Sequence, residues 1–384
     1  MFETYLDSLP EDTEEINVSN QGLTYLHLSR FKNLKKLYCS NNQLTSLPQL
    51  ENLKELYCSN NQLTSLPSLE NLETLYCQNN QLTSLPALGN LQELCCEHNQ
   101  LSSLQLNEKL KLLFCNSNQL SSLRLNKNLE RLFCCNNQLT SLHFNENLQS
   151  LDCGNNQLTS LHLNAKLQIL YCSHNQLTSL HLNNNLQTLY CCHNQLTSLH
   201  LNNNLQSLYC NYNDLVSLQS NENLQTLFCN YNDLSSLQLN ENLKELYCNN
   251  NQLTSLRLNK NLERLFCCNN QFSSLHFNEN LQLLDCRNNN LTSLQLNEQL
   301  EELRFINNPI CEIIISDDIQ IINQKLKILN RFRYLYYSLK YKKLFRDLLW
   351  IKIREPKIRE KYSHDYLVAN LHEDTDLDEL LKNW

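Results

Sequence analysis

Cysteine recurs in this 384-residue chain at a spacing that invites chemistry. Fourteen thiols fall 19 residues apart: Cys39, Cys58, Cys77, Cys96, Cys115, Cys134, Cys153, Cys172, Cys191, Cys210, Cys229, Cys248, Cys267 and Cys286. Such a file could form disulfides or hold metal. A disulfide wants its two Cβ atoms about 3.8 Å apart, and zinc wants ligands that converge on a tetrahedron. Thiols repeated once per stacked coil stand nearly a full strand spacing apart, roughly 4.8 Å, in a line that does not converge. The column therefore reads as reduced, buried sulfur, each residue serving as a small apolar one. That implies an intracellular protein.

Three smaller groupings also carry reactive side chains. Cys192, His193 and His174 fall on one face and supply three candidate zinc ligands; drift of a repeated sequence accounts for them as well, and no metal is assigned. His143, His162, His181 and His200 make a column that would repel on acidification or is simply an exposed polar row. Cys95, Cys135 and Cys268 sit in separate repeats and cannot cooperate. No P-loop, nucleophile elbow or HExxH motif occurs. No catalytic residue, cofactor or small-molecule substrate is assigned.

The element that positions these residues is a repeat. LYCSNNQLTSLP stands unchanged at 37–48 and 56–67. Aligned on its leading leucine, the unit starts at Leu34 and every 19 residues to Leu300, which gives fifteen coils. A degenerate coil precedes them from Ile16. The consensus is LxxLxCxxNxLxSLxxLxN. Leucine and cysteine two apart point to one face of a short strand, and no coil can bury its leucines without its neighbours. Leu44, Leu47 and Leu50 are expected to fill the interior from the turn and the back. The complete asparagine column, Asn42, Asn61, Asn80 and onward to Asn308, is expected to satisfy the backbone where each strand turns away. The serine column (Ser46, Ser65, Ser84) receives the same reading. Residues 123–153 recur nearly unchanged as 256–286, so the array grew by block duplication.

The consensus resembles that of the leucine-rich repeat family, LxxLxLxxNxL, over residues 16 to about 310. The resemblance implies a repeat solenoid: a right-handed parallel β horseshoe, here with a small α-helical C-terminal segment. Three units are expected: 1–33, an N-terminal cap with one degenerate repeat; 34–311, the fifteen repeats; and 312–384, a helical, partly basic cap or tail. Pro48, Pro67 and Pro86 suit an extended outer segment and resemble the short repeats of bacterial effectors. From Leu91 the outer segment changes from LPxLxN to LxLNxN.

Composition narrows the function. Glycine is nearly absent at 3 residues, and the formal net charge is −8. The first residues are acidic and lack the apolar core of a secretory signal. No run of eighteen apolar residues exists, so no membrane span is expected. The fifth position of each coil lies on the inner, concave side of the expected horseshoe. It is aromatic at Tyr38, Tyr57, Tyr76, Phe114, Phe133, Tyr171, Tyr190, Tyr209, Phe228, Tyr247 and Phe266. Tyr212 and Tyr231 flank that column. Aromatic residues give contact area with little entropy loss, so these thirteen read as a partner-binding groove; stacked rings that merely stabilise the sheet remain the alternative.

After Pro309 the period ends and the sequence turns helical, with Asp317 or Asp318, Ser363 and Thr375 as caps and Pro356 as a break or new start. Residues 325–361 hold thirteen Lys/Arg against three acids, interleaved with Phe332, Tyr334, Tyr336, Tyr337, Tyr341, Phe345 and Trp350. The tail segments KLFRDLLWIKIREPKIREKYSHDYLVANL and LDELLKNW resemble C-terminal segments of leucine-rich repeat proteins of mimivirus-like giant DNA viruses. That likeness implies work inside an infected cell, in the host cytoplasm. The sequence thus reads as a non-enzymatic scaffold binding a host or viral protein. Two alternatives stand beside it: a nucleic-acid or anionic-membrane adaptor using 325–361, and an effector-type ubiquitin ligase. The ligase would need a catalytic cysteine in a separate domain, and only Cys311 follows the last ladder thiol.

Overall fold

The computed structural model describes residues 6–361 except 144, 220, 277, 315, 317, 343–345, 348 and 349, and omits the side chains of 336–340, 353, 360 and 361. Each coil contributes one three-residue strand, beginning with Glu15–Asn17 and Lys36–Tyr38 and ending with Glu302–Arg304. Sixteen such strands form one sheet in strict sequence order. All pairings are parallel and in register, so Leu37 faces Leu56 and Tyr38 faces Tyr57. The degenerate coil joins on the same terms, Ile16 facing Leu37. A second, two-stranded sheet pairs Ser274–Leu275 with Ser293–Leu294.

The strands are short because each coil must bend away at once. The eighth residue of every coil adopts a left-handed backbone, with φ between 51° and 60°. Asparagine tolerates that region and occupies most of these positions. Backbone pairing continues past the strand ends, as in Cys39 N–H to Tyr57 O at 2.8 Å and Gln62 N–H to Leu44 O at 2.9 Å. Most of the repeat leucines and all fourteen ladder cysteines are buried. All nineteen cysteines are free. Burial pushes the ladder thiols up, Cys39 to about 12.

The asparagine column behaves as its chemistry requires. Asn61 donates through Nδ2 to the carbonyls of Cys39 and Cys58, both at 3.0 Å. Its Oδ1 accepts the Leu44 N–H at 3.0 Å. The serine column differs from expectation: Ser46, Ser65 and Ser84 are exposed. The chain there has already left the interior, and the leucines on either side take the inward places. Leu44 and Leu50 are buried while Leu47 is only half-buried; its equivalents in later coils, such as Leu123 and Leu199, are buried.

The change of outer segment has a structural meaning that the sequence reading missed. Leu50 and Leu69 hold the seventeenth position of the early coils. From Asn107 on, asparagine stands there and forms a second ladder. Asn164 donates to Asn145 O at 2.7 Å and Leu148 O at 2.9 Å, while its Oδ1 accepts Leu167 N–H at 2.8 Å. The signal was the switch from LPxLxN to LxLNxN itself.

The chain divides into two compact units between Ile313 and Ile314. In the second, a helix runs from Ile319 to Lys340. Asp318 caps it, its Oδ1 accepting the Gln320 N–H at 2.8 Å. A π-helical turn over Trp350–Arg354 leads into a short helix, Glu355–Lys361, with Pro356 in its first turn. Asp317, Phe345, Ser363, Thr375 and LDELLKNW lie outside the described residues. Among the described residues no helix is long and apolar enough to cross a membrane.

Candidate functional site

Side chains at the fourth and sixth positions of each coil turn inward, so those at the third, fifth and seventh turn outward. The fifth-position aromatics are half-buried, and in-register pairing stacks each ring on the next coil's ring. The structure gathers them into three runs. Tyr38, Tyr57 and Tyr76 stack with centroids 4.7 and 5.1 Å apart. Phe114 and Phe133 stack at 4.5 Å. The third run is unbroken over six coils, Tyr171–Tyr190–Tyr209–Phe228–Tyr247–Phe266, with spacings from 3.9 to 4.7 Å. The interruptions are Cys95, Asp152 and Asp285.

A second column lies beside the long run. His174, His193, Tyr212 and Tyr231 stack with each spacing at 4.2 Å. All four occupy the left-handed eighth position, with φ between 53° and 56°. Bulky residues are outliers in that region, and Tyr212 and Tyr231 are 44% and 46% exposed. Desolvation and the neighbouring His174 lower the pKa of His193. Across these four coils, the second and third positions carry Gln168, Gln187, Gln206 and Gln225 with Ile169, Thr188, Ser207 and Thr226, and no acid, lysine or arginine.

Stacking decides what the surface can offer. Within a run both faces of each interior ring are covered by neighbours. What remains open is ring edge and hydroxyl. Burial, followed by the Tyr209 hydrogen bond, pushes the Tyr190 hydroxyl up to about 12, so it stays a donor.

The histidine and thiol groupings do not converge. His174 and His193 lie face to face, and no cluster of three or more His, Cys, Asp or Glu side chains with metal-ligand geometry occurs among the described residues. His143, His162, His181 and His200 are exposed. Cys268 is not idle, however. Its Sγ donates to Asp285 Oδ1 at 2.8 Å. Arg287 grips the same carboxylate through Nε at 2.8 Å and Nη2 at 2.7 Å. Burial works to raise the Asp285 carboxyl, but the hydrogen bonds from Arg287 and Cys268 outweigh it and hold the group below the usual carboxylate range. This cluster went unread in the sequence; its signal is the i, i+2 pairing of Asp285 with Arg287 on one strand face.

A profile of the family "Leucine Rich repeats (2 copies)" matches residues 32–71, 51–90 and 70–108. Among solved structures, YopM from Yersinia pestis, titled a leucine-rich effector protein, is 31% identical, with 76% of this chain and 88% of that chain covered at a TM-score of 0.66. YopM from Yersinia enterocolitica is 29% identical, covering 79% of this chain and 80% of that chain at a TM-score of 0.64. The functional domain of InlJ from Listeria monocytogenes, whose title notes a cysteine ladder, is 28% identical over 77% of this chain and 68% of that chain at a TM-score of 0.64. No curated protein sequence matches.

Proposed function

Since this chain belongs to the leucine-rich repeat family, we propose that it is a non-enzymatic scaffold that holds a partner protein against the ring-stacked face of its sheet. The observation that carries the reading is the double column of rings over residues 171–231, with Tyr212 and Tyr231 kept exposed on a left-handed backbone. Edges, hydroxyls and carboxamides suit a polypeptide partner, because tyrosine and asparagine together give rigid contact area and adaptable hydrogen bonding. Nucleobases would need free ring faces, and interior faces here are covered. The file of reduced thiols and the viral likeness of the tail support work inside an infected cell, with a host or viral protein as the partner.

The test is proximity labelling or affinity capture with the wild-type chain against Tyr190→Ala, Tyr209→Ala and Phe228→Ala combined. The partner set should be lost while the fold, followed by far-UV circular dichroism, persists. Capture of the same partners by the variant would discard the groove.

A second reading rests on the C-terminal helix. Phe332 and Tyr334 are 65% and 68% exposed and alternate with Arg331 and Arg333. A basic aromatic helix suits an anionic surface. Binding of the full chain to phosphatidylserine vesicles that weakens with salt and with Phe332→Ser and Tyr334→Ser would support it; salt-independent or absent binding would remove it.

A further inference from the structure

Block duplication left two copies of one cluster, filled in one place and open in the other. Residues 123–153 and 256–286 differ only at Leu139/Phe272, Thr140/Ser273 and Ser150/Leu283, and the next position reads Gly154 in one copy and Arg287 in the other. In the second copy the Arg287 guanidinium closes on the Asp285 carboxylate through two hydrogen bonds. In the first, Gly154 brings no cation. Asp152 Oδ1 accepts the Gly154 N–H at 3.1 Å, and no lysine or arginine pairs with it among the described residues. Burial raises the Asp152 carboxyl, and the Gly154 hydrogen bond offsets this only in part.

We propose that the notch formed by Asp152 and Gly154 seats the guanidinium of an arginine presented by the partner protein. The inference rests on the groove reading and names one chemical contact within it. Asp152 stands in the register place of a ring, between Phe133 and Tyr171. The far faces of those rings are covered by Phe114 and Tyr190, at 4.5 and 4.7 Å. Their near faces look toward the Asp152 coil. Two strand spacings, about 9.5 Å, separate them, room for one planar cation at roughly the spacing the intact columns keep. A guanidinium fits a carboxylate bidentately and stacks on aromatic faces, which an ammonium does not. The Cβ that Gly154 lacks would come within 3.4 Å of Asp152 Oδ1 and 3.3 Å of Ser173 O. The equivalent space holds the Arg287 side chain in the other copy.

The experiment uses the full chain carrying 13C-carboxyl aspartate and, as probe, N-acetyl-arginine methylamide. A saturable shift of the Asp152 resonance, with its titration moved to lower pH, is expected. The lysine and citrulline analogues should bind at least about tenfold more weakly. Gly154→Arg should abolish the response and bring the free Asp152 signal close to that of Asp285. No saturable shift, or an equal shift from citrulline, overturns the proposal. Partner capture that survives Asp152→Asn but fails with the aromatic substitutions overturns the arginine seat and leaves the groove standing. Capture that survives the aromatic substitutions while the arginine probe still binds overturns the groove and keeps the notch.

Discussion

Replacing Asn175 by alanine isolates what one rung of the asparagine ladder contributes. Its Nδ2 donates to Cys153 O at 3.0 Å and to Cys172 O at 3.1 Å. Its Oδ1 accepts the N–H of the buried Leu158 at 2.9 Å. The two carbonyls keep a second donor, Asn156 at 3.1 Å for Cys153 and Asn194 at 3.1 Å for Cys172. The Leu158 N–H keeps none. Leaving a buried donor unsatisfied costs about 1–3 kcal/mol, and each shared hydrogen bond lost adds about 0.5–1 kcal/mol. Asn175→Ala should therefore destabilise the array by roughly 2–5 kcal/mol. Because each coil contacts only its neighbours, the loss should be local before it is global. Hydrogen exchange should show faster exchange at Leu158 and in the coils on either side, and urea unfolding should begin earlier. Asn175→Asp should be worse at neutral pH, because a carboxylate would face two carbonyl oxygens. The exposed Ser46→Ala should change nothing measurable. An Asn175→Ala protein within about 0.5 kcal/mol of wild type, or one whose Leu158 amide stays protected, would refute the ladder argument.

Three further outcomes follow from the same geometry. Tyr212→Asn and Tyr231→Asn place the favoured residue at the left-handed position; urea stability should hold or rise while partner capture falls, and a clear loss of stability would show that the rings serve the fold. The buried ladder thiols, with Cys39 raised to about 12, should resist iodoacetamide at pH 8 in the native protein and react fully in urea; mass spectrometry that finds Cys153 or Cys172 labelled in the native state would refute their burial. Asp152 and Asp285 should act oppositely on stability. The depressed Asp285 carboxyl contributes stability present above the unfolded value of about 3.9 and lost as pH falls through its folded pKa. The raised Asp152 carboxyl carries a cost present above its folded pKa and relieved below about 3.9. At pH 7, then, Asp285→Asn should lose about 1–2 kcal/mol, discounted for the exposure of Arg287, and Asp152→Asn should gain stability. Urea midpoints at pH 7 and pH 3 check both signs.

Much of this protein was legible in its sequence, because its neighbours in space are neighbours at a fixed offset in sequence. A 19-residue period with leucine and cysteine two apart sets the strand face, the register and the stacking partner of Tyr38, Tyr190 or Asn61 alike. Translation along the stack does the rest. The reading failed where that translation breaks or where burial rather than spacing decides. Ser46 shares the period but points into solvent. Asn164 replaces a leucine at the seventeenth position and becomes a hydrogen-bonded rung of its own. Whether a ring run continues depends on one residue in the next coil, and whether a buried carboxylate is paired depends on the side chain two places along: Arg287 closes over Asp285, while Gly154 leaves Asp152 open. Periodicity fixes where a side chain stands. Only the packed coil fixes which of its neighbours competes for it, because burial and charge pairing are settled between side chains at contact distance.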